Sequence, residues 1–88
     1  MSSSIYVITF NSTHHAIRFE KILKELNFVI TTIPTPREIS SSCGLSIKFE
    51  EKAFEDIKFN IKKFDIEYYG IFKVTKLNNG KKEILKLS

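Results

Sequence analysis

The chain predicts an α+β sandwich in which two helices cover one face of an antiparallel sheet in the order βαββαβ. Three observations lead there. Short β-branched and aromatic runs alternate with two segments whose apolar residues recur every three or four positions. The 88 residues, 42% apolar with eight phenylalanines, suffice for one core and one domain, residues 1–88. An Asn79-Gly80 pair near the end marks a turn that would add one more strand. The pattern is ferredoxin-like, with an extra C-terminal β-hairpin over about residues 71–87.

Ile5-Tyr6-Val7-Ile8-Thr9-Phe10 is nearly continuous in apolar residues and reads as a buried central strand. Asn11, Ser12 and Thr13 follow as candidate N-caps. Ala16, Phe19, Leu23 and Leu26 then form the buried stripe of a helix over roughly residues 12–27, which Ile22 widens and Asn27 ends. Phe28 to Ile33 is a second strand, stopped by Pro34 as at a sheet edge. Leu45, Ile47 and Phe49 alternate with polar residues, so they point inward from a half-buried third strand. Glu50, Glu51, Glu55 and Asp56 crowd the start of the second helix, where negative charge suits the helix dipole, and Lys62 and Lys63 sit near its end. Ala53, Phe54, Ile57, Ile61 and Phe64 are its buried stripe. A fourth strand is expected over roughly Ile66 to Lys76, with Gly70 marking a bulge or a close backbone approach. A type I′ turn at Asn79-Gly80 would lead into a short strand over residues 84–87.

A net charge of +4 and a pI of about 9.3 describe a mildly basic surface with both signs interspersed, not a nucleic-acid signature. A single cysteine excludes an internal disulfide and suits a reducing, cytoplasmic setting. The sequence shows neither a signal-peptide pattern nor an apolar run near the roughly 20 residues of a membrane span. Neither a membrane nor a nucleic acid is an expected partner.

The stretch richest in chemistry is Pro34-Thr35-Pro36-Arg37-Glu38-Ile39-Ser40-Ser41-Ser42-Cys43-Gly44, with both prolines, the lone cysteine and a serine run. The prolines make it a constrained loop, and Gly44 removes Cβ bulk and permits positive φ beside Cys43. The right-handed crossover places the end of strand two and the start of strand three beside the start of helix one. Cys43 is thereby expected near Asn11, Ser12, Thr13, His14 and His15. A thiol reacts as thiolate, and a helix N-terminus or a nearby cation such as Arg37, His14 or His15 would favour that form. Hydroxyls of Ser12, Thr13, Ser40, Ser41 and Ser42 would donate to an anionic sulfur or selenium. His14, His15 and Cys43 fall short of a closed zinc site, and no metal or cofactor is expected.

Tyr6-Val7-Ile8-Thr9-Phe10-Asn11-Ser12-Thr13-His14-His15-Ala16, Phe19-Glu20-Lys21-Ile22-Leu23-Lys24 and the loop from Pro34 to Leu45 resemble the small bacterial family described as putative selenium/sulfur carrier protein-like, over about residues 5–75. The resemblance implies a carrier in which Cys43 holds reduced chalcogen as a persulfide or selenopersulfide between a donor, such as a cysteine desulfurase, and an acceptor enzyme. Such a carrier is a transfer protein rather than a turnover enzyme. The residues so implied are Cys43 as the chalcogen-carrying thiol, with Ser12, Thr13, His14, Arg37, Ser42 and Gly44 in support. The competing reading is a protein-binding module with a structural or incidental Cys43. RNA binding through strand aromatics is a weaker version of it, lacking an RNP-like Gly-Phe-Gly-Phe pattern, and a metal chaperone would need a second soft ligand.

Overall fold

Strand β1 (Ser3–Phe10) lies at the centre of the sheet because its residues are apolar at both parities, so both of its faces must be covered. The computed structural model describes residues 3–42 and 44–88; Met1, Ser2 and Cys43 lie outside the described residues. After β1 come α1 (Thr13–Glu25), β2 (Ile30–Pro34), β3 (Leu45–Phe49), a 3-10 turn (Glu51–Ala53), α2 (Phe54–Lys63), β4 (Gly70–Lys76) and β5 (Lys82–Lys86). The two helices pack on a five-stranded antiparallel sheet of order β2-β3-β1-β4-β5.

Register assigns each strand residue to a face. Tyr6, Ile8 and Phe10 lie opposite Phe49, Ile47 and Leu45 of β3, and these pairs meet the helices. Ala16, Phe19 and Leu23 of α1 are fully buried against them, as is Ile57 of α2, with Ile61 nearly so. Phe10 and Phe19 pack ring to ring at 6.1 Å. Each fully buried Phe, Leu or Ile side chain here contributes about 1.5–3 kcal/mol relative to an exposed one. Thr32 of β2 ties the sheet edge to α1 through a hydrogen bond from its hydroxyl to Glu20.

Both helices end in the same way. Asn27 (φ 67°) donates to Lys24 O and Phe28 to Leu23 O; Asp65 (φ 52°) donates to Lys62 O and Ile66 to Ile61 O. These are two Schellman motifs, each followed by an apolar residue that drops back onto the core. They correct two expected boundaries. Helix α1 stops at Glu25, so Leu26 is the C-cap and is 48% exposed instead of joining the stripe. Strand β4 begins at Gly70, because Ile66 is spent on closing α2.

Gly70 is a close approach without a bulge. It pairs in register with Thr9, and the Phe72 ring lies over it so tightly that an added Cβ would come within 2.8 Å. The β4–β5 connection differs from the expected type I′ turn, which needs φ > 0 at both central residues. Among the described residues only Asn27, Asp65 and Gly80 have positive φ, so Asn79 does not qualify. Gly80 N instead donates to Leu77 O, and Leu77 N to Lys81 O, a type I turn closed by a bulge with Gly80 (φ 84°) in the left-handed position. Strand β5 then runs in register along β4, Val74 opposite Ile84 and Lys76 opposite Lys82.

No helix covers the second face of the sheet, yet Val7 is fully buried there with Phe72 and Val74. Residues 35–42 supply the cover. Ile39 packs against this smaller cluster together with Ile5, Ile33 and Ile84, and Pro36 lines a cleft with Ile5 and Val74. The loop is therefore a strap folded beneath the helix-free face.

Candidate functional site

The site is assembled at one end of the sheet. Phe10 and Pro34 both lie opposite Leu45, so β1 and β2 run parallel on either side of β3 and finish at the same end. The chain leaves β1 for α1 there, and it leaves β2 for the strap. Gly44 returns against the first residue of α1: a Cβ placed on it would sit 3.4 Å from Thr13 Oγ1, an ordinary contact distance. What Gly44 provides is closeness to Thr13. Cys43 itself lies outside the described residues.

The start of α1 is electrostatically open. Ser12 is its N-cap, with extended backbone (φ −112°, ψ 127°), but its hydroxyl makes no capping hydrogen bond and the first turn holds no acidic residue. The first amides of a helix have no partner within it and carry partial positive charge. Thr13 and His14 are exposed on this turn. The His14 and His15 rings meet edge to face at 5.7 Å. His15 is half-buried, with Nδ1 lacking a hydrogen-bond partner among the described residues and Nε2 3.8 Å from the Glu67 carboxylate. No hydrogen bond, ion pair or ring contact among the described residues joins either histidine to the strap.

The strap is held along its length. Thr35 N donates to Gly44 O at 3.3 Å, pinching the loop at its base, and the Thr35 hydroxyl bonds Ser46 Oγ at 2.8 Å. Ile39 N and Ser40 N both donate to Pro36 O, making one tight turn. Ser40 Oγ accepts from Ser42 N and pairs with Ser42 Oγ at 3.0 Å, so these two hydroxyls serve each other first. Arg37 is exposed in the turn. Glu38 lies 3.6 Å from the Lys82 ammonium of β5. A hydrogen bond from its own backbone N–H holds the Glu38 carboxyl below the usual glutamate range, and Lys82 adds to the effect. Of the supporting residues expected from sequence, Thr13 and Gly44 are brought together; Ser12 and His14 lie on the same helical turn as Thr13, and Arg37 and Ser42 lie along the strap.

Sequence reasoning missed the roles of Ile39 and Lys82. Ile39 is the one large apolar residue in an otherwise polar loop, and the strand residues Ile5, Val7, Phe72 and Val74 needed a cover that no helix supplies. Among the described residues, no three His, Cys, Asp or Glu side chains gather as a metal site, and no helix is long and apolar enough to cross a membrane.

Comparison with known families decides the affiliation. The family model described as "Putative Se/S carrier protein-like" matches residues 5–73. The chain belongs to this family. The match takes in most of β1, all of α1, the strap and α2, and half of β4, and ends before β5. No curated protein and no solved structure matches the chain.

Proposed function

We propose that this Se/S carrier family member transports reduced sulfur or selenium on Cys43, as a persulfide or selenopersulfide, between a donor enzyme such as a cysteine desulfurase and an acceptor. The observation that carries the reading is the close approach of Gly44 to Thr13, which sets the covalent neighbour of Cys43 near a helix start bearing neither a side-chain cap nor an acidic residue. Such an end favours an anionic chalcogen. The strand order β2-β3-β1-β4 supports a ferredoxin-like scaffold, with β5 as an appended hairpin strand.

Transfer needs no outside oxidant. The Cys43 thiolate attacks the terminal sulfur of the donor's persulfide, the donor cysteine leaves as thiolate, and the new S–S bond replaces the one broken. The acceptor then takes the terminal atom and Cys43 returns to thiolate. Ser12, Thr13 and His14 line the helix start, while Arg37 and Ser42 lie on the loop that carries the thiol. The protein acts as a bacterial, cytoplasmic transfer protein without turnover of its own.

The test is intact mass after incubation with a cysteine desulfurase and cysteine. A gain of one sulfur atom, absent in C43S and reversed by a thiol reductant, is expected. If the folded protein takes up no sulfur or selenium and Cys43 resists alkylation, a binding module with an incidental Cys43 replaces the carrier.

A further inference from the structure

The charge of this molecule is distributed in an unexpected way. Residues 1–69 hold nine basic and nine acidic side chains, whereas residues 70–88 hold five lysines and one glutamate, so the net +4 resides in β4, β5 and their connection. Register places Lys76, Lys82 and Lys86 together on the helix-free face, where Lys48 of β3 also lies. Lys76 and Lys82 flank a cleft of about 190 Å³ with an apolar floor of Ile5, Pro36 and Val74. At the other end of the same strand pair, Tyr69 is 43% exposed, stacks on Phe72 and lies under the Lys86 ammonium at 5.9 Å.

We infer that the helix-free face of β4 and β5 is a docking surface for an acidic peptide segment of a partner protein, with the Lys76–Lys82 cleft accepting a carboxylate-flanked apolar side chain. The surface already holds one example of its ligand: Glu38 of the strap sits on Lys82. An exposed ion pair of this kind is weak, so an incoming carboxylate can displace it. Lysines on an edge strand also keep it from pairing with other chains, but that role requires neither a cleft nor an apolar floor. The strap argues against RNA, since Ile39 and Pro36 occupy the sheet face on which bases would stack. The inference does not depend on the chemistry of Cys43.

The experiment is a titration of isotopically labelled C43S protein with a synthetic peptide alternating glutamate and leucine, followed by amide chemical shifts. Shifts confined to β4, β5 and residues 36–40, and weakened by salt, are expected. K76E/K82E should reduce affinity about tenfold. E38Q should raise affinity by roughly twofold or more, since the internal competitor is lost. The proposal is overturned by no binding, by shifts elsewhere, by equal affinity in K76E/K82E or E38Q, or by tighter binding to oligouridylate or phosphatidylglycerol vesicles. Because C43S is used, failure here leaves the carrier reading to its own mass measurement.

Discussion

The two helices of this protein finish alike and begin differently. Each ends in a Schellman motif with a non-glycine residue at positive φ and an apolar residue returning to the core. Neither start has a side-chain capping hydrogen bond, but α2 has Glu55 and Asp56 in its first turn after Glu51 in the preceding 3-10 turn, while the first turn of α1 has no acidic residue. The chain thus places acidic first-turn residues at one helix start and none at the start beside Gly44. The acidic residues are absent at the end where the proposed carrier would hold an anion.

The largest expected effect tests whether the open end matters at all. C43S should abolish every chalcogen adduct seen by intact mass while leaving the thermal midpoint nearly unchanged, because the strap is held by Thr35, Ile39 and Glu38. Next comes a change that makes α1 resemble α2. His14→Glu adds an acidic first-turn residue and should stabilise the protein by about 0.5 kcal/mol. The same change should slow alkylation of Cys43 at neutral pH by roughly threefold or more, since it disfavours thiolate. Faster labelling in this variant would sink the electrostatic account. The reciprocal change, E55Q/D56N, should cost about 1 kcal/mol in denaturant unfolding and leave the labelling rate alone.

The smallest effect concerns the strap. The folded Glu38 carboxyl titrates below its unfolded value, so its contribution is present above the unfolded pKa and is lost as pH falls through the folded one. After correction for intrinsic exchange, the amides of Ile39 and Ser40 should lose protection through the acidic carboxylate range. E38Q should show low protection with no such dependence. Equal pH profiles in the two proteins would mean that Glu38 does not hold the strap.

Much of this arrangement was legible in the sequence. The continuous apolar run of β1 and the spacing of Ala16, Phe19 and Leu23 follow from local pattern, and the crossover rule put the two ends of the strap at the end of the sheet where α1 begins, although its middle folds beneath the opposite, helix-free face. The misses share a cause. Whether Ile66 continues a strand or caps a helix depends on the left-handed turn at Asp65, and whether Asn79 takes positive φ depends on the register of β5 against β4. Neither is fixed by nearby residue types. The pairing of Glu38 with Lys82 joins residues that meet only once the whole sheet is assembled.

The central place of β1 also bears on how the chain reaches this state. Its hydrogen-bonding partners are β3 and β4, both made later, and the pairing of Ile5 with Val74 spans most of the sequence. Such non-local pairings slow folding, because chain closure is required before contacts reward it. During synthesis, Ile5 to Phe10 must therefore wait with both strand edges unpaired, a β-prone apolar segment open to wrong partners. Aggregation in the nascent chain should begin there, and a chaperone that binds short apolar extended segments should find its first target in the residues that end as the best-protected strand.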